Sequence, residues 1–137
     1  MQINRLKQST KMALAIGLLL PALETVRRIH QILDFKEFFS WFDDYMLGAV
    51  LLAAAYTVWK QKRNSVSYLI AAWGIAAGAL ALSFLGQFKY YDTTTGDPGI
   101  FSTTLVAVAK GIILLYMLAG LRLSIKANES EGNKFHE

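Results

Sequence analysis

From Ile100 to Leu121 the chain runs for 22 residues with a single charge, Lys110, and two further stretches approach that character. A helix of about 20 apolar residues crosses the hydrocarbon core of a bilayer, so such runs restrict the chain to a membrane fold or an unusually apolar core. Composition favours the first. Of the 137 residues 54% are hydrophobic and 18% charged, and the mean hydropathy is +0.34. Soluble domains of this size carry about 25% charged residues. The shift argues against a soluble enzyme and against disorder.

Four spans are expected, at about 12–33, 43–60, 66–86 and 100–121, giving an all-α, antiparallel four-helix bundle embedded in a membrane. The first is interrupted in its second half by Glu24, Arg27 and Arg28. A cleaved signal peptide is the rival reading of residues 1–20, but Pro-Ala-Leu-Glu after Leu20 lacks the small-x-small pattern a signal peptidase requires. A retained first helix is therefore expected. The second span is short, and Phe42 and Lys60 extend it by placing their polar or aromatic ends at the interface.

Charge placement sets the expected topology. Residues 1–11, the 60–65 connection and the tail hold nine Lys and Arg, against Arg27, Arg28, Lys36 and Lys89 on the other side. The positive-inside rule then puts both termini in the cytoplasm, in a multi-pass protein of the bacterial inner-membrane kind. Gly96-Asp97-Pro98-Gly99 marks a turn between the third and fourth spans. Phe35, Phe38, Phe39, Trp41 and Phe42 suit an aromatic segment at the headgroup level. Residues 127–137 read as a mobile polar cytoplasmic tail.

Ionisable residues at membrane depth are the informative ones, because a lone charge there costs several kcal/mol. Glu24 lies 12 residues from Met12, roughly 18 Å along a helix, and Lys110 lies 11 residues from Leu121, roughly 17 Å. The two fall at one level, and a Glu24–Lys110 contact is expected, direct or through one water. Arg27 and Arg28 follow Glu24 at i+3 and i+4, and Asp43, Asp44 and His30 stand nearby in depth. Glu24, Asp43 and Asp44 balance Arg27, Arg28 and Lys110, with Gln31 and Gln87 available for leftover hydrogen bonds. Two readings stay open for this set: a clamp that fixes helix register, or a polar vestibule for a proton, an ion or a small charged ligand.

Pro21 is expected to kink the first helix and free the Gly17 carbonyl. Gly74 and Gly78 form a Gly-x-x-x-Gly pair, explained equally by dimerisation or by packing within one chain, while Gly48, Gly111 and Gly120 also permit close approach. Trp73 reads as packed or lipid-facing.

Other chemistries lack material. With no cysteine, thiol catalysis, iron–sulfur clusters and disulfides are excluded. His30 could ligate haem only with a second copy of itself, and Asp43-Asp44 with His30 could hold a metal only if a further ligand arrived from elsewhere. Ser40, Ser67 and Ser83 have no histidine at compatible depth. No cofactor is assigned, and no basic patch interleaved with aromatics suggests nucleic acid.

Ala22-Leu23-Glu24-Thr25-Val26 and the run Tyr68 to Gly74 loosely resemble the pattern of the small multidrug resistance exporters. That resemblance implies a free carboxylate in the first span, from which Lys110 and the arginine pair depart. The expected function is a non-catalytic accessory or scaffold subunit of a membrane complex, its partners the bilayer and a membrane protein. The alternative is a homo-oligomeric proton- or ion-coupled transporter or channel using Glu24 and Lys110.

Overall fold

The structure, a computed structural model, describes residues 2–30 and 38–132, with the side chains of residues 2, 38–41 and 130–132 left aside. These residues form four α-helices and no strand: α1 (Gln2–Arg27), α2 (Phe38–Trp59), α3 (Ser65–Gln87) and α4 (Thr103–Gly132). A short 3₁₀ helix, Phe88–Asp92, follows α3. Each long helix lies against its two neighbours in a closed square, α1 beside α2 and α4, α3 beside α2 and α4.

Paired contacts show the directions. Thr25 meets Tyr45 while Gly17 meets Leu52, so α1 and α2 run antiparallel. Ser9 meets Ser124 at one end of α1 and α4, and Gln87 meets Lys110 between α3 and α4. The core between the helices holds Ile16, Leu20, Leu51, Leu69, Trp73, Leu80 and Met117. Large apolar side chains such as Leu18, Leu82, Ile112 and Leu115 face outwards. A helix apolar on both faces is what a lipid-facing bundle requires.

Three helices, α1, α3 and α4, are long and apolar enough to cross a membrane. The second span, expected at 43–60, does not reach that mark. Its apolar part, from Tyr45 to Trp59, is 15 residues, about 22 Å of rise against a core of about 30 Å. Helix α1 starts well before the expected 12 and ends at Arg27, followed by a turn over 28–30. Helix α4 continues through Gly132, so the segment read as a tail from 127 begins as helix. Phe35, Lys36 and Gln31 lie outside the described residues, as do the side chains of Phe38, Phe39 and Trp41.

Close approaches occur where small residues meet backbone. A Cβ on Gly48 would lie 2.6 Å from the Gly17 carbonyl oxygen and 2.8 Å from Pro21 Cγ. Pro21 has no N–H, so that carbonyl lacks its helical partner and α2 approaches it closely. A Cβ on Gly120 would lie 2.5 Å from the Trp73 ring. Trp73 is fully buried, and its Nε1 donates to Ser9 Oγ at 2.9 Å. Ser9 in turn donates to the Gly120 carbonyl at 2.9 Å, while Ser9 and Ser124 share a bond of 2.7 Å, tying α1, α3 and α4 at one end. Gly74 and Gly78 face open space. Packing within the chain therefore does not explain that pair.

Candidate functional site

The opposite end of the bundle carries a buried ionic network, assembled from α1, α3, α4 and the 93–102 loop. Glu24 is 4% exposed and takes two guanidinium groups, Arg27 from its own helix and Arg28 from the turn that follows it. Arg27 Nη1 lies 3.0 Å from Glu24 Oε2, and Arg28 Nε lies 2.6 Å from Oε1. The i+3 and i+4 spacing makes this almost unavoidable, since both arginines rise over the same face as Glu24. Arg27 then reaches across to Asp97 as a two-pronged donor, Nη2 to Oδ2 at 2.8 Å and Nε to Oδ1 at 3.2 Å. Bidentate pairing of this kind uses the planar guanidinium fully and fixes its orientation.

Asp97 is the residue the sequence reading did not place in the set. Its side chain is fully buried. Gln87 Nε2 donates to Oδ2 at 2.7 Å, the Gly99 N–H donates to Oδ1 at 2.9 Å, and its own N–H donates to Thr103 Oγ1 at 3.0 Å. Burial would push the Asp97 carboxyl up, but the bonds from Arg27, Gln87 and Gly99 outweigh it and hold the group below the usual carboxylate range. The loop closes on α1 a second time, where the Ile100 N–H donates to the Arg27 carbonyl at 3.2 Å. Gly99 makes this possible, because a Cβ there would lie 2.6 Å from Arg27 Cγ. The Gly-Asp-Pro-Gly turn marked the loop correctly and concealed the carboxylate inside it.

Lys110 does not pair with Glu24, and the expected direct contact is corrected accordingly. Its Nζ donates to Gln87 Oε1 at 2.8 Å and to the Ser83 carbonyl at 3.4 Å. Gln87 thus links Lys110 to Asp97 through its two ends, accepting at Oε1 and donating at Nε2. Depth along the axis was estimated well enough that Glu24 and Lys110 line the same cavity. Rotation about each helix decides the partner, and Arg27 and Arg28 reach Glu24 from the end of α1 and the turn directly after it.

Asp43 and Asp44 sit at the start of α2. Asp43 is exposed and its Oδ1 accepts the Asp44 N–H at 2.9 Å. Asp44 is half-buried and turned towards the network. His30 is exposed in the turn after α1 and is not brought to the network. Among the described residues the buried and half-buried charges at this end are therefore Glu24, Asp44 and Asp97 against Arg27, Arg28 and Lys110, with Asp97 in the place expected for Asp43. They balance formally.

Two cavities flank the network. One, about 260 Å³, lies between α1 and α4, with Leu20, Leu80, Val106 and Ile113 as walls and Glu24, Arg27, Asp44 and Lys110 as its polar floor. The other, about 310 Å³, is polar and lies on the α2 and α3 side, where Asp43, Ser83, Lys89 and Tyr90 join the same four charged residues. No family model, no curated protein and no solved structure matches this chain. Among the described residues no group of three His, Cys, Asp or Glu is placed to hold a metal.

Proposed function

We propose that this chain is a multi-pass membrane protein with a non-catalytic role, an accessory or scaffold subunit whose ionic network holds its helices and one connecting loop in register. The observation that carries the reading is the mutual engagement of Glu24, Arg27, Asp97, Gln87 and Lys110, which gives Arg27, Arg28 and Lys110 each at least one partner within the protein. Charges so engaged suit a clamp, since a half-satisfied polar network in a low-dielectric setting would be strongly destabilising. The charge asymmetry of the connections supports an orientation with both termini in the cytoplasm, so the network and the 93–102 loop lie towards the outer face. The short apolar part of α2 is accommodated by its antiparallel neighbours and by Lys60 at its end, whose ammonium lies 5.4 Å from the Trp59 ring centre.

A second reading, a homo-oligomeric transporter or channel, has one observation in its favour. Glu24, Arg27, Asp44 and Lys110 line both cavities, so they separate an apolar space from a polar one. Native mass spectrometry of the tagged protein, extracted from its own membranes in mild detergent, distinguishes the two. A complex of fixed stoichiometry with other chains is the expected result. A homo-oligomer without partners, together with proton-coupled flux that Glu24→Gln abolishes, would replace the accessory role with transport.

A further inference from the structure

The cavity between α1 and α4 is not used by the clamp, and its chemistry is uneven in an informative way. Its walls are apolar, and its rim is formed by Leu23 and Leu105, 41% and 55% exposed. On its floor, Glu24 and Arg27 are committed to one another. Asp44 and Lys110 are less so. Among the described residues no hydrogen bond or ion pair reaches the Asp44 carboxylate. Lys110 has three N–H donors, of which two point to Gln87 and Ser83. Asp44 and Lys110 both line this cavity, and both also line the polar cavity on the α2 and α3 side.

We propose that this cavity binds a neutral, hydroxyl-bearing amphiphile, its hydroxyl accepting from Lys110 Nζ and donating to Asp44, its apolar body lying against Leu20, Val106 and Ile113. Neutrality follows from the floor, where two carboxylates already oppose two cations, so a charged head would add an unbalanced charge to a buried site. Size follows from the volume. A dry cavity of about 150 Å³ holds a benzene ring. A space of about 260 Å³ takes a ring with a short arm, and a longer tail leaves between Leu23 and Leu105. Water alone would satisfy the floor and leave the walls uncovered. The membrane as the source of the ligand rests on the multi-pass reading above, whereas the site itself rests on the cavity.

The test uses the full chain in phosphatidylcholine nanodiscs and a diazirine-bearing 4-octylphenol as probe. Saturable photolabelling is expected on the segments holding Leu23 and Leu105. Unlabelled 4-octylphenol should compete at a concentration lower than octylbenzene by about tenfold or more, the margin of a hydrogen bond to charged groups. Asp44→Asn should narrow that margin to about threefold or less, because a charged acceptor becomes a neutral one. Ala109→Phe, which fills the cavity, should abolish saturable labelling, and the competition series on the unaltered protein stands even if either variant fails to fold. Equal competition by octylbenzene, stronger competition by octylamine or octanoate, or labelling spread evenly over the outward-facing Leu82 and Leu115 would each overturn the site. Release of the chain from membranes by alkaline carbonate would refute the multi-pass reading instead, and the same competition in aqueous buffer would then decide the site.

Discussion

At Asp97 a single buried carboxylate gathers Arg27, Gln87 and the Gly99 N–H, and much of the order at that end of the bundle depends on it. Removing the charge by Asp97→Asn leaves Arg27 buried with one anion fewer, and a loss of about 3 kcal/mol in unfolding stability is expected. The pH dependence has a definite sign. Because the folded carboxyl lies below its usual range, its contribution is present above the unfolded value of about 3.9 and is lost as pH falls through the lower folded value. Thermal unfolding followed from pH 7 down to the limit of solubility should show the unaltered protein converging on Asp97→Asn only below about pH 4. Lys110→Met gives a complementary expectation. Its partner is Gln87, and it reaches Glu24 only through Gln87, Asp97 and Arg27, so its coupling to Glu24→Gln in a double-mutant cycle should be weaker than that between the directly paired Arg27 and Asp97. Strong coupling there would restore the direct pair.

Helices α1 and α2 meet through glycine and proline, and this contact makes a prediction that separates packing from composition. Gly48→Ala would set a methyl group 2.6 Å from the Gly17 carbonyl oxygen, and Gly120→Ala would set one 2.5 Å from the Trp73 ring. Overpacking of this kind costs about 1–3 kcal/mol, readable as a lower unfolding midpoint. Gly74→Ala and Gly78→Ala meet open space and should leave the isolated chain within about 0.5 kcal/mol of the original, or slightly more stable through helix propensity. The sequence made the helices visible because a long apolar run has few alternatives. It also made Gly48 and Gly120 candidates for close approach. It could not show that Gly74 and Gly78 face outwards, since a Gly-x-x-x-Gly pair marks a smooth surface without saying what lies against it. Likewise, axial depth placed Glu24 and Lys110 at one level, but only rotation and the folded path of the loop reveal Gln87 between Lys110 and Asp97. Asp97 itself was hidden by its turn, 70 positions from Arg27 in the chain.

Across the whole molecule, two polar devices hold the ends of an otherwise apolar bundle. At one end Ser9, Trp73 and Ser124 bind α1, α3 and α4 through neutral groups. At the other, α1, α3, α4 and the loop are joined through charge, with Asp44 of α2 facing the same space. If the charged end is a clamp, its members depend on one another, and losing both partners of a pair should be milder than losing one. The Arg27–Asp97 pair tests this most directly, by unfolding of Arg27→Met, Asp97→Leu and the double variant in the same detergent. The account predicts that each single change lowers stability by about 3–5 kcal/mol and that the double variant loses clearly less than their sum. Strict additivity, or single variants as stable as the original, would contradict it.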